Sequence, residues 1–180
     1  MGYGRNTEKM NQPENTITIN NLIKKYNFTH GAELGVRRGE FTTFLCQDNP
    51  NLNMICVDLW GEDSSIIESH EHSSNYDTAI QNFEKYKNRI TILRQLTTQA
   101  YESVDDNSLD FIFMDATHTA EALSLDIKLW LPKLKINGIL CGHDYHPHWD
   151  NGKLKEYIDN TFKTKITDEY TCWFVYKKDI

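Results

Sequence analysis

Two stretches of the 180-residue chain gather most of the side chains able to move a proton or hold a metal ion. The first is Asp110-Phe-Ile-Phe-Met-Asp115-Ala-Thr-His118, an apolar run that ends in a carboxylate with an imidazole three residues later. The second is Gly138-Ile-Leu-Cys-Gly142-His143-Asp144-Tyr145-His146-Pro147-His148. Imidazole beside carboxylate titrates near neutrality and suits general acid and base work. Without thiolate, the same donors suit Mn²⁺, Fe²⁺, Zn²⁺ or, with fewer histidines, Mg²⁺. Three histidines packed this closely cannot all reach one point easily, so His146 and His148 equally fit a plain loop. Structural roles stay open for Asp115, as a turn residue, and for His118, as a hydrogen-bonding group.

A third motif lies upstream, Ala32-Glu33-Leu34-Gly35-Val36-Arg37-Arg38-Gly39. Gly35 would let the chain turn sharply with its backbone close to a ligand, and Gly39 would let a helix start approach a sheet. Glu33 stands where a dinucleotide-binding turn prefers glycine; it would repel a pyrophosphate and suits a ligand with a cationic amino-acid group. About twenty residues further on, Asp58 closes Ile55-Cys56-Val57-Asp58, where an acid can accept hydrogen bonds from both ribose hydroxyls. A turn or cap role is the alternative for each residue alone. Their joint order points to a nucleoside-bearing cofactor.

The elements that must carry these residues follow from periodicity. After a polar arm over residues 1–15, Ile17, Leu22, Ile23 and Tyr26 recur at roughly helical spacing and open a single domain over 16–180. His30 to Val36 reads as a strand, followed by the glycine turn and a helix bearing Phe41, Phe44 and Leu45. Leu52 to Leu59, Ile90 to Leu93, Leu109 to Met114 and Ile139 to Gly142 are further strands, with helical periods around Tyr76 to Tyr86 and Ala120 to Leu131. Leu154 to Phe162 reads as a helix, and Lys165 to Thr167 with Thr171 to Tyr176 as an antiparallel edge hairpin joined tightly at Asp168-Glu169. Alternating β and α segments predict an α/β fold with a mostly parallel sheet, so Asp115, His118, His143 and Asp144 should face the crevice at the strand ends. Gly61 to Ser74, with His70 and His72, reads as a long loop that is either a lid or simply solvated.

The composition narrows the function classes. A net charge of -7 and a pI near 5.5 disfavour a nucleic-acid partner and favour a small-molecule substrate. Met1 to Asn20 is polar and no apolar run approaches the roughly 20 residues that span a bilayer, so no membrane association and a cytoplasmic location are expected. Cys46, Cys56, Cys141 and Cys172 are far apart in apolar settings and read as reduced, packed thiols. Trp149 and Trp173, read as exposed aromatics, would support a homodimer.

With these motifs placed, the chain resembles the class I S-adenosylmethionine-dependent methyltransferases, in the branch of catechol and macrocin O-methyltransferase-like enzymes. The resemblance runs from about His30 to the C-terminus. It is most specific over Leu109 to Tyr145, where Phe-Met-Asp-Ala-Thr-His, the helix with Asp126 and Trp130, Leu-Pro-Lys-Leu-Lys-Ile-Asn-Gly and Gly-His-Asp-Tyr follow the branch's pattern. It implies a Rossmann-like, doubly wound, seven-stranded sheet. By it, Glu33, Gly35, Val36 and Gly39 line the methionine end of the cofactor, Asp58 the ribose, and Leu59, Trp60, Thr97 and Thr98 the adenine. Asp115, which also lines the cofactor, and Asp144 match the two aspartates that hold Mg²⁺ or Mn²⁺ in metal-dependent members. Tyr145 replaces the amide that completes that site, leaving His143 or His118 to supply the ligand. Arg37 stands where many methyltransferases have glycine, so a somewhat different turn is expected. The resemblance further implies a substrate hydroxyl at the tips of the fourth and fifth strands, deprotonated by His118 or His143 or made more acidic by a metal at Asp115 and Asp144. Rival readings are a cofactor-binding interaction module that has lost chemistry and a nicotinamide-dependent oxidoreductase; Glu33 disfavours the latter.

Overall fold

The computed structural model describes residues 12–61 and 71–180, with side chains described from residue 74 onward in the second segment. In chain order the elements are α1 (Ile17–Tyr26), β1 (His30–Leu34), α2 (Glu40–Asp48), β2 (Asn53–Val57), α3 (Glu71–Phe83), β3 (Ile90–Leu93), α4 (Thr97–Ala100), β4 (Leu109–Met114), α5 (Ala120–Trp130), β5 (Leu134–Gly142), α6 (Lys153–Thr161), β6 (Ile166–Thr167) and β7 (Trp173–Tyr176).

They build a seven-stranded sheet in the order β3-β2-β1-β4-β5-β7-β6. β1 through β5 run parallel to one another, and β7 runs antiparallel to both β5 and β6. The expected edge hairpin is therefore present. Its connection is longer than expected, because Asp168 Oδ1 accepts from the amides of Tyr170 and Cys172 and closes a five-residue turn over 168–172.

β4 is buried on both faces, which is why it reads as a continuous apolar run rather than an alternating one. Phe111 and Phe113 pack with Ile19, Phe41, Leu45 and Phe83 of α1, α2 and α3. Ile112 and Met114 pack on the other side with Leu123, Ile127, Trp130 and Ile158 of α5 and α6. Strand order reverses between β1 and β4, and a doubly wound sheet opens its ligand crevice at the carboxyl ends of the strands at such a point.

Several boundaries differ from the sequence reading for local reasons. β1 stops at Leu34 because Gly35 turns to φ 87. β5 starts five residues before Ile139, through an irregularity in its pairing with β4 around Lys135 to Gly138. α4 is a single turn, too short to show a period. Of the segment read as a loop over 61–74, residues 62–70, including His70, lie outside the described residues, and the remainder from Glu71, with His72, belongs to α3. The expected arm lies mostly outside them too; its end, Glu14–Thr16, is a 3-10 turn leading into α1. Trp173 is not exposed: it is fully buried in β7 and stacked on Phe162 at 5.4 Å, so it offers nothing to a dimer interface. All four cysteines are buried free thiols. Among the described residues no helix is long and apolar enough to cross a membrane.

Candidate functional site

The carboxyl ends of β1, β2, β4 and β5 surround a cavity of about 740 Å³, the size of a site for a small organic ligand. Glu33, Gly35, Val36, Asp58, Leu59, Trp60, Thr97, Asp115, His118, His143 and Asp144 all line it. Two expected residues do not. Gly39 caps the start of α2 at φ 74, where its open side faces the Phe83 ring of α3 rather than the sheet. Thr98 lies beside Thr97 on α4 but off the cavity wall.

The floor is acidic. Glu33 is only 3% exposed, and the Thr42 hydroxyl donates to its Oε2 at 2.6 Å. Burial pushes the Glu33 carboxyl well above the usual carboxylate range, against that hydrogen bond. Asp58 organises the glycine turn: its Oδ2 accepts from the amides of Val36 and Arg37, both at 2.8 Å, and its Oδ1 from the amide of Trp60 at 2.9 Å. A carboxylate offers about four acceptor positions, so roughly one remains for a ligand rather than the two that a pair of ribose hydroxyls would use. Arg37 takes the glycine-like conformation itself, with φ 53.

The four groups expected to do chemistry converge. His118 Nδ1 is hydrogen-bonded to Asp144 Oδ2. His143 Nδ1 lies 3.2 Å from Asp144 Oδ1 and 3.6 Å from Asp115 Oδ1, and His143 Nε2 lies 3.2 Å from the Thr171 hydroxyl. Asp144 is 4% exposed and held at φ 63, a left-handed backbone that persists only where the surroundings over-determine it. Those surroundings are the bonds from His146 N to Asp144 O and from Tyr145 N to Thr171 O, which tie the strand end to the β6–β7 turn.

The protonation states follow from these contacts. Burial would lower the His143 imidazole, but its bonds to Asp115 and Asp144 outweigh burial and hold it at about 10. The Asp144 bond raises His118 more than burial lowers it. Burial would raise Asp144, yet the two imidazoles hold it well below the usual range, whereas Asp115 is raised because burial prevails. His143 thus has both nitrogens engaged. His118 has one nitrogen committed to Asp144, lines the cavity and keeps 39% of its side-chain surface exposed.

Asp115, His118 and Asp144 each offer a ligand atom within 4.8 Å of the others. Two carboxylates and an imidazole fit a divalent cation such as Mn²⁺. Tyr145 takes no part, because its hydroxyl donates to Asp159 at 2.6 Å on the α6 side. His146 and His148 are exposed and off the cavity.

Three contributors are not among the site residues read from the sequence, in which Trp149 reads as an exposed aromatic. Thr42 meets Glu33 one turn into α2, and Thr171 meets His143 across the sheet. Trp149 stacks on His118 with ring centroids 4.4 Å apart, so this side chain builds the cavity wall.

The comparisons with known proteins agree with this geometry. A family model described as "Methyltransferase domain" matches residues 32–145, from the strand before the glycine turn to the end of the His143-Asp144 loop. A protein described as a candidate caffeoyl-CoA O-methyltransferase from Staphylococcus aureus superposes with a TM-score of 0.68 at 16% identity, over 91% of this chain and 82% of that one. A candidate O-methyltransferase from Klebsiella pneumoniae gives 0.66 at 12% identity, over 92% and 80%. At such identities these likenesses show the fold. An uncharacterized protein, y4gI, of Sinorhizobium fredii is 27% identical over 122 residues, 63% of this chain. The chain spans only 13% of the length of that relative. With the family match covering most of the sheet and every strand end that lines the cavity, the chain belongs to the methyltransferase domain family.

Proposed function

We propose that the chain transfers a methyl group from S-adenosylmethionine to a hydroxyl oxygen of a small molecule, with His118 as the general base and Asp144 as the group that orients it. The observation that carries this reading is one cavity shared by a buried Glu33 carboxylate and the Asp144–His118 pair. An ionised carboxylate in so dry a place needs a cation. The ammonium at the amino-acid end of S-adenosylmethionine supplies one. Asp58 would meet the ribose, and Leu59, Trp60 and Thr97 the adenine.

S-adenosylmethionine supplies, when bound, an electrophilic methyl on sulfur. The protein has to align the acceptor in line with it and remove the acceptor's proton. Asp144 accepts a hydrogen bond from His118 Nδ1–H, which leaves Nε2 as the basic nitrogen, the logic of the carboxylate–imidazole pair in hydrolases. His143, held between Asp115 and Asp144, balances their charge and keeps both carboxylates in place. Trp149 fixes the plane of the His118 ring. A divalent cation on Asp115, His118 and Asp144 would raise the acidity of an acceptor hydroxyl; it would also claim the imidazole that otherwise serves as base.

The test is transfer of labelled methyl from S-adenosylmethionine to a panel of phenols, sugars and other hydroxylated small molecules, with Mg²⁺, Mn²⁺ or EDTA. An alkali-stable methyl ether is expected. Activity that survives EDTA assigns the proton to His118, and strict metal dependence assigns activation to the cation. Methylation confined to amines or thiols would contradict the oxygen acceptor.

A further inference from the structure

The turn between β1 and α2 keeps an arginine where its backbone calls for glycine. Arg37 sits at φ 53, a region that residues with a Cβ enter at a cost. Its peptide is pinned there from two sides: the amide donates to Asp58 Oδ2 at 2.8 Å, and the carbonyl accepts from the Trp60 indole at 2.6 Å. The chain path alone would be served better by glycine. Strain of this kind at a cavity wall directs attention to the side chain.

Arg37, an exposed residue, lines the cavity along with Glu33, Glu40, Asp58, Asp115 and Asp144. Its guanidinium forms no ion pair or hydrogen bond among the described residues, even with Glu40 three positions along the chain. It is charged at any physiological pH and presents a planar fork shaped for a carboxylate.

We propose that Arg37 binds the carboxylate of the cofactor's amino-acid end, so that Glu33 near the end of β1 and Arg37 on the turn after it receive the ammonium and the carboxylate of one zwitterion. This rests on the S-adenosylmethionine reading above. Arg37 then sets cofactor specificity, favouring nucleosides that keep the α-carboxylate over decarboxylated ones.

The experiment compares S-adenosylhomocysteine with its decarboxylated analogue by calorimetry, on wild type, Arg37→Gly and Arg37→Lys. Glycine relieves the backbone, so Arg37→Gly should melt at or above the wild-type temperature. Its affinity for S-adenosylhomocysteine should nevertheless fall by about tenfold or more, in line with loss of a charge-assisted bond. The decarboxylated analogue should bind wild type and Arg37→Gly within about twofold of each other, and Arg37→Lys should recover part of the loss. Equal weakening of both ligands would mean that Arg37 only shapes the turn, and overturns the proposal. Unchanged S-adenosylhomocysteine affinity overturns it as well, and would leave Arg37 for an acceptor's carboxylate while the cofactor reading stands. Wild type that binds neither nucleoside removes both readings together.

Discussion

Replacing Asp144 by asparagine is expected to lower turnover by about 10² to 10⁴-fold while leaving affinity for S-adenosylhomocysteine within about twofold, because general base catalysis contributes at that scale. Asp144 is bound to His118, the imidazole proposed as the base, and makes no contact that the cofactor reading requires. The pH–rate profile separates this role from a merely structural one. His118 must be neutral to accept a proton, so activity rises with pH through its pKa, which the Asp144 bond holds above the ordinary value of about 6.5. Without that carboxylate the inflexion should move to lower pH, with a lower plateau. A profile that keeps its inflexion and its height would rule out the Asp144–His118 pair.

The same substitution has a stability signature of definite sign. Asp144 is held well below the usual carboxylate range in the fold, so it stabilises the protein above its unfolded pKa of about 4. The asparagine variant should therefore melt lower than wild type at pH 7. The gap should narrow as the pH falls below about 4, where the unfolded chain takes up a proton at this carboxylate while the folded protein still holds it ionised.

The second large effect is structural. Gly35→Ala is expected to lower the melting temperature by roughly 10 °C, as a loss of about 3 kcal/mol would in a domain of this size. A Cβ at Gly35 would lie 2.2 Å from the carbonyl oxygen of Asp115 and 2.6 Å from the Cα of Ala116, and both are backbone atoms. Neither can yield cheaply, because Gly35 N is bonded to Val57 O and Asp115 N to Leu34 O, which lock the tips of β1, β2 and β4 together. Gly152 is the control. It has the same φ of 87, but its nearest neighbour would be the Pro147 carbonyl oxygen at 3.7 Å, so Gly152→Ala should cost only the conformational penalty of about 1 kcal/mol. Equal losses for the two variants would show that conformation, not the approach of β1 to β4, decides Gly35.

That contrast also shows what the sequence could and could not reveal. Gly35 was legible as a tight turn, but the backbone just past β4, at Asp115 and Ala116, that a side chain there would meet was not. β2 and β4 announced themselves because strands covered on both faces are nearly continuous apolar runs, and β1 by the glycine turn that follows it. The first half of β5 did not, since Lys135, Asn137 and Gly138 have little strand preference, and the ladder with β4 breaks register between Leu134 and Ile139. Trp173 looked exposed because nothing in its neighbours says that β7 is inserted between β5 and β6.

The site divides in the same way. Glu33, Asp58, Asp115, His118, His143 and Asp144 lie at or just beyond strand ends, and strand ends of such a sheet face the crevice whatever the detailed packing. Which imidazole is free was not legible. That depends on Thr171 reaching His143 across the sheet and on Trp149 folding onto His118, contacts between residues far apart in the chain. The left-handed Arg37 was hidden for the same reason, because its conformation is imposed by Asp58 and Trp60 on the next strand's turn.

The most direct test of the central claim is a calorimetric titration of the purified protein with S-adenosylhomocysteine, with NAD⁺ as the competing nucleotide. Micromolar binding of the sulfur nucleoside and none of NAD⁺ is the expected result, because the proposal has the buried Glu33 receive an ammonium, which the amino-acid end of the sulfur nucleoside carries and a pyrophosphate does not. NAD⁺ binding without S-adenosylhomocysteine binding would contradict the assignment of the crevice and, with it, the methyl-transfer mechanism built on Asp144 and His118.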